Sequence, residues 1–216
     1  MGLHQGKLAW VMVLGLMGPG LIGSGLIGPE LGWAADAQLG GRHLAGEVCQ
    51  ECHGEDGNSV SDNTAKLSGQ FPAYIAKQIR DFKSGNRAHP IMTDMARGLD
   101  EAKVDDIAAF FGAQSRDREP NPGEAPEGRR LFLAGDAGRG IAPCATCHGD
   151  DAKGRAQLAG AVVPNLAGQH RTYLREQLRN WRSGARANSP QGMMAEAAHP
   201  LSDAEIDDLA TYLSGL

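Results

Sequence analysis

Aromatic side chains are scarce in this chain: five Phe, three Tyr and three Trp among 216 residues. A helical unit of roughly 80 residues buries only about 60–65% of its unfolded surface. A chain so poor in rings therefore needs some other apolar filling for its middle. A basic excess is missing as well. From Gln38 to Arg118 ten basic residues stand against twelve acidic ones, and Glu119 to Leu216 repeats those counts. Binding a phosphate backbone needs a basic surplus somewhere, so a nucleic-acid partner is excluded, and the even balance singles out no docking face. Sustained alternation of period two is absent too, which leaves an all-α fold.

The first residues carry the longest apolar run. After a short basic start, MGLHQGK, it extends from Leu8 to Ile27 and leads into GWAADAQ. A basic start, an apolar core and small residues before a polar segment form the pattern of a secretory signal peptide. Ala35 and Ala37 suit cleavage before Gln38, so residues 1–37 are expected to be removed on export. The competing expectation is an uncleaved membrane anchor, because the run approaches the ~20 residues that span a bilayer. Repeated glycines, from Gly15 to Gly25, weaken it as a lasting helix. Either way the remainder faces an oxidising exterior, a periplasm.

From Gln38 onward the chain is built twice over. CATCHG from Cys144 repeats CQECHG from Cys49. Leu67–Arg87 aligns without gaps to Leu166–Arg186, with nine of 21 positions identical. LDEAKVDDIAAFF from Leu99 pairs with LSDAEIDDLATYL from Leu201. The offsets grow from 95 to 99 to 102, so the copies differ by short insertions. Two copies are too few for a solenoid; this is a tandem duplication of one domain. Residues 38–113 form the first copy and 129–216 the second. Between them, 114–128 is charged and rich in Pro and Gly, which reads as a linker.

Helical spacing recurs in both copies: Tyr74, Ile75, Gln78, Ile79 and Phe82, then Tyr173, Leu174, Gln177, Leu178 and Trp181. Gly85 and Gly184 come next as C-terminal caps. Ser202 with Glu205 makes a capping box before the last helix, and Asp100 keeps the cap alone.

Cys-x-x-Cys-His is the attachment motif of c-type haem. Residues three and four apart share a helix face. Cys49 and Cys52, and again Cys144 and Cys147, can thus form thioethers with the two porphyrin vinyl groups. His53 and His148 reach iron from one side. A flat macrocycle also supplies the missing apolar filling. Zinc sites, structural disulfides and redox dithiols are the competing uses of two Cys-x-x-Cys pairs. None of them explains a His directly after each second cysteine. Two covalent haems c are expected.

For the opposite axial position the candidates are Met92, Met95, Met193, Met194, His89 and His199. A helical Met is commonly core filler, so proximity decides nothing, but the duplication does. Met92 precedes Leu99 by seven residues and Met194 precedes Leu201 by seven. Met95 aligns with Ala197 and Met193 with Ile91, and the two histidines do not align. Met92 and Met194 are the expected ligands, with a slip to the adjoining Met193 as the alternative. A neutral thioether favours ferrous iron and raises the potential. Arg87 and Arg186, with Tyr74 and Tyr173, are candidates to neutralise haem propionates, against a reading as solvated arginines and core tyrosines. Pro164 is placed to offer its carbonyl to a haem-ligand imidazole. The matching residue is Ala65, so in the first copy any such contact is expected to come from elsewhere.

CQECHGEDGNS, LSGQFPAYIAKQI, IMTDMARGLD, CATCHGDD, PNLAGQHRTYLREQL and MMAEAAHPLSDAEIDDLATYL together resemble the cytochrome c4 family of periplasmic dihaem cytochromes. The resemblance covers nearly all of the chain after its first residues. It implies two class I cytochrome c domains facing each other, each wrapped around a His–Met haem. It also implies an electron carrier, not an enzyme, working between a quinol-oxidising complex and a terminal oxidase. Related dihaem modules serve as cytochrome subunits of sulfide-oxidising flavocytochromes and other dehydrogenases, which keeps that alternative open. A haem redox enzyme such as a peroxidase would need one labile axial ligand.

Overall fold

The computed structural model describes residues 41–216. The expected signal peptide or anchor, 1–37, lies outside these residues. The first half contains helix α1 (41–48), the one-turn α2 (Gln50–His53), α3 (Pro72–Ser84), α4 (Pro90–Arg97) and α5 (Glu101–Gly112). The second half repeats them as α6 (Pro126–Ala134), α7 (Ala145–His148), α8 (Arg171–Ser183), α9 (Met193–Ala198) and α10 (Asp203–Ser214). The last three residues of the linker segment, 126–128, are the first turn of α6.

Local sequence sets these boundaries. α3 opens on Pro72, whose missing N–H costs nothing in a first turn. It closes on Gly85 at φ 83°, as α8 closes on Gly184 at φ 77°; this left-handed cap favours glycine. Asp100 caps α5 by accepting from the Ala102 N–H. Ser202 and Glu205 form the reciprocal capping box of α10.

Each half has its own core. Val104, Ile107, Phe110 and Phe111 of α5 pack against Ile75 and Ala76 of α3 and Ala45 of α1. Ile206, Leu209, Ala210 and Leu213 of α10 pack against Leu131 and Phe132 of α6 and Leu174 and Trp181 of α8. α6 touches α10 at Gly128, where a Cβ would lie 2.2 Å from the Asp208 carbonyl oxygen. Gly41 of α1 approaches α5 in the same way, with a Cβ position 2.4 Å from the Asp106 carbonyl oxygen. Only a residue without a side chain permits that approach.

The structure adds a short hairpin to the all-α expectation. β1 (Arg155–Leu158) pairs antiparallel with β2 (Ala161–Val163) around Ala159 and Gly160, both at positive φ. The four residues by which the offset first grows fall here. The later three fall at the 3-10 turn Pro190–Gly192. Both insertions thus extend loops and leave the helical frame intact. Among the described residues no helix is long and apolar enough to cross a membrane.

Candidate functional site

Cys49 and His53 stand one helical turn apart, with the His53 N–H donating to the Cys49 carbonyl at 3.0 Å. Cys144 and His148 repeat this contact at 3.0 Å. Both imidazoles are buried, 8% and 6% exposed. His148 Nδ1 donates to the Pro164 carbonyl at 3.2 Å. His53 Nδ1 donates to the Ala65 carbonyl at 2.8 Å. The expectation that the first half must find this contact elsewhere is therefore corrected. The acceptor is a backbone oxygen, so alanine supplies it as well as proline does. In each half this bond turns the ring so that Nε2 keeps its lone pair. Burial pushes both imidazoles down, His148 to about 4, against a small upward pull from the accepting carbonyls. Both are held neutral, the form that coordinates metal.

All four cysteines are free, with Cys52 exposed and the others half-buried. Burial pushes the Cys49 and Cys144 thiols up to about 11. Among the described residues no three His, Cys, Asp or Glu side chains gather as a metal-binding group. The two Cys-x-x-Cys pairs do not converge into one four-sulfur site, so the shared zinc reading loses its ligand set.

The methionines fall into two kinds. Met92 on α4 and Met194 on α9 are half-buried, and Met194 packs against the second core. Met95 and Met193 are 41% and 43% exposed. The Met194 N–H donates to Ser189 Oγ at 3.1 Å, which pins the start of α9. His89 is occupied as a cap: its Nδ1 accepts from the Ile91 and Met92 N–H groups at 3.3 and 3.2 Å. His199 is exposed at the end of α9.

Arg87 and Arg186 are neither solvated nor confined to their own halves. They are 9% and 5% exposed and cross the joint between the halves. Arg87 donates to Gln78 Oε1 at 2.7 Å, and across the joint to Tyr173 Oη at 3.1 Å and Gln177 Oε1 at 2.8 Å. Arg186 mirrors it, donating to Gln177 at 2.9 Å and across to Tyr74 at 2.9 Å and Gln78 at 3.0 Å. Burial pushes the Tyr173 phenol up, but Arg87 and Arg186 outweigh it and hold the phenol below its ordinary value. These side-chain acceptors are neutral amides and phenols. Neither guanidinium bonds a carboxylate directly, and the buried Asp81 carboxylate acts on Arg87 through its charge alone.

Sequence reasoning missed the rest of this joint. The Gln70 carboxamide accepts from the Asn165 N–H and donates to the Asn165 carbonyl, both at 2.9 Å. Gln169 grips Lys66 in the same two-pronged way, at 2.8 and 2.9 Å. Arg116 of the linker donates to Ser68 of the first half and to Asn165 and Ala167 of the second. Gln70/Gln169 and Gln78/Gln177 are identical at matched positions of the repeat. That identity was the available signal, because polar residues kept in both copies at a helix start or on an apolar face need a polar partner.

These residues fit covalent haem in both halves. Each half offers two unpaired thiols one turn apart, a neutral imidazole with a free Nε2 and a half-buried thioether. The facing arginines suit the carboxylates that such a group carries.

Both halves are similar to known proteins. Residues 36–111 match a family model described as cytochrome C oxidase, cbb3-type, subunit III, and residues 125–216 match the cytochrome c model. A cytochrome c4 of Thiocapsa roseopersicina is 40% identical over 188 residues, covering 85% of this chain and 96% of the relative. The crystal structure of reduced recombinant cytochrome c4 from Pseudomonas stutzeri superposes with a TM-score of 0.76 at 35% identity, covering 83% of this chain and 98% of that one. A thiosulfate dehydrogenase electron acceptor of Stutzerimonas stutzeri (strain A1501) is 37% identical, covering 85% of this chain and 87% of the relative.

Proposed function

The chain belongs to the cytochrome c4 family, an electron-transfer family, and from that premise we propose a periplasmic dihaem carrier with one His–Met haem in each half. In this reading Cys49, Cys52, His53 and Met92 hold the first haem, and Cys144, Cys147, His148 and Met194 the second. The observation that carries it is the duplicated imidazole setting: a buried His one turn after a cysteine, its Nδ1 bonded to a backbone carbonyl. Bound haem would supply a one-electron change at iron.

The protein's own part is to hold these ligands still. The Ala65 and Pro164 carbonyls orient the two imidazoles, and α4 and α9 present the thioethers. With His53 and Met92, and His148 and Met194, engaged in holding the group, no place would be left for oxygen or a substrate, which suits outer-sphere transfer and not chemistry on a bound molecule. Arg87 and Arg186 would neutralise propionates at the joint, across which electrons would pass between the halves. Donor and acceptor are then a quinol-oxidising complex and a terminal oxidase.

A ferric absorption and magnetic resonance spectrum of the loaded protein tests the ligands. Two low-spin His–Met centres are expected. Met92→Ala and Met194→Ala should each abolish one centre, while Met95→Ala and Met193→Ala leave both. A high-spin component, or ready cyanide binding, in the unsubstituted protein would replace the carrier with a haem redox enzyme.

A second reading is favoured by the likeness to a thiosulfate dehydrogenase electron acceptor. Here the chain accepts electrons from a dehydrogenase. Stopped-flow mixing with reduced dehydrogenase and with a quinol-oxidising complex separates the two, since only the true donor reduces it at catalytic rates.

A further inference from the structure

The two half-buried methionines are delivered in different ways. In the first half the start of α4 is held from within. His89 Nδ1 accepts from the Ile91 and Met92 N–H groups, and the His89 N–H donates to Thr93 Oγ1 at 3.0 Å. In the second half Met194 follows the 3-10 turn Pro190–Gly192, where Gln191 sits at φ 54° and Gly192 at φ 73°. A left-handed residue with a side chain is strained. α9 has six residues, too few for a helix to hold itself. Something outside this segment has to fix it.

That support comes from the other half. Asn188 lies just before the turn, and its Nδ2 donates to Asp81 Oδ2 at 2.6 Å and to Gln78 Oε1 at 3.0 Å, both on α3. Its carbonyl accepts from Lys77 Nζ, also on α3, at 2.8 Å. Its Oδ1 accepts from Arg186 Nε at 3.0 Å. Both polar atoms of the carboxamide are thus matched, donor to acceptor. Asp81 is buried and pairs with Lys77 as well. A hydrogen bond to a carboxylate is stronger than one between neutral groups, which makes Asp81 the main anchor. The next residue, Ser189, accepts from the Met194 N–H at Oγ and from the Gly192 N–H at its carbonyl, the latter at 3.2 Å. A bonded path therefore runs from α3 of the first half to the start of α9.

The path has no mirror image. At the offset of 99 the repeat sets Glu176 opposite Lys77, Asn180 opposite Asp81 and, carried two residues further, Asn188 opposite His89. The second half so replaces the cation by a carboxylate and the carboxylate by an amide.

We propose that Asp81 is the positioning residue for Met194: from the first half it clasps Asn188 and thereby holds the turn that presents the second half's thioether. The bearing on iron rests on the His–Met reading above. Met92 is capped within its own half, so docking of the halves governs one methionine and not the other.

Asp81→Ala removes the anchor and alters no residue of the second half. Hydrogen–deuterium exchange in reduced, haem-loaded protein, followed by nuclear magnetic resonance, reads the Met92 and Met194 amides. Exchange at Met194 should quicken about tenfold or more while Met92 stays within about twofold. Asn188→Ala should do the same, and the double variant should go no further than the larger single one. Asn180→Ala, at the matched position, should change neither amide. Should Asp81→Ala fail to fold, Lys77→Met carries the test, with a smaller change in the same direction.

Unchanged exchange at Met194 in Asp81→Ala, or failing it in Lys77→Met, overturns the proposal. Equal quickening at Met92 and Met194 overturns it too, because that marks general loosening, and so does a double variant that sums the two effects. Added imidazole competes with a thioether for ferric iron and keeps the two readings apart. In Asp81→Ala the centre that Met194→Ala abolishes should bind imidazole about tenfold more readily. If the amides respond as expected while imidazole binding is unchanged, the clasp stands and Met194 is not the ligand.

Discussion

Replacing Gln70 with alanine should uncouple the halves without touching any haem ligand. The side chain is 7% exposed. Its Oε1 accepts from the Asn165 N–H at 2.9 Å and the Phe71 N–H at 3.1 Å, and its Nε2 donates to the Asn165 carbonyl at 2.9 Å. Truncation strands two backbone donors. The Asn165 carbonyl keeps the Arg116 guanidinium at 3.2 Å as a partner. A stranded buried donor costs about 1–3 kcal/mol. Phe71 is only half-buried at the start of α3, so water recovers part of its share. The expected loss is about 2–4 kcal/mol of docking free energy. Gln70→Glu is no milder: it sets a carboxylate oxygen against the Asn165 carbonyl oxygen and buries a charge, so it should lose at least as much. Urea denaturation of haem-loaded protein, followed by Soret absorbance and far-ultraviolet circular dichroism, reads the effect. The alanine variant should shift from one joint transition towards two. A single transition with a midpoint unchanged from the parent would refute the reasoning.

Gly128→Ala should destabilise the second half by about 3 kcal/mol or more in thermal denaturation, because backbone must move apart to admit a Cβ. Gly98, at φ −73° with its nearest obstacle 3.8 Å away, is the matched control; Gly98→Ala should be neutral or slightly stabilising. Ser202→Ala removes the cap of α10 and should cost about 1 kcal/mol by the same measurement. Burial pushes the Glu205 carboxyl up, but Ser202 and Arg139 outweigh it and hold it below its ordinary value. Its contribution is therefore present above the usual carboxylate range and lost as pH falls through the lowered value. Glu205→Gln should flatten that acid limb in a pH series of midpoints.

Residue order alone reveals the parts whose physics is local. Thiols and imidazole within one turn need only helix geometry, and caps such as Gly85, Gly184 and Ser202 act within a few residues. The duplication is legible because matched positions can be counted. Folding decides whatever depends on approach across the chain. The carbonyls that receive His53 and His148 come from 12 and 16 residues away, and a backbone oxygen leaves no trace in residue type. Nothing in the identity of Ala65 therefore announces its role. Arg87 and Arg186 reach across the joint to Tyr173 and Tyr74, 86 and 112 residues distant. The hairpin at 155–163 is too short for alternation to register, and its Ala-Gly turn is a weak sign. His170 is the sharpest case. A lone histidine beside an apolar helix says nothing of its partners until folding sets Glu119 and the Ser59 carbonyl against its two nitrogens.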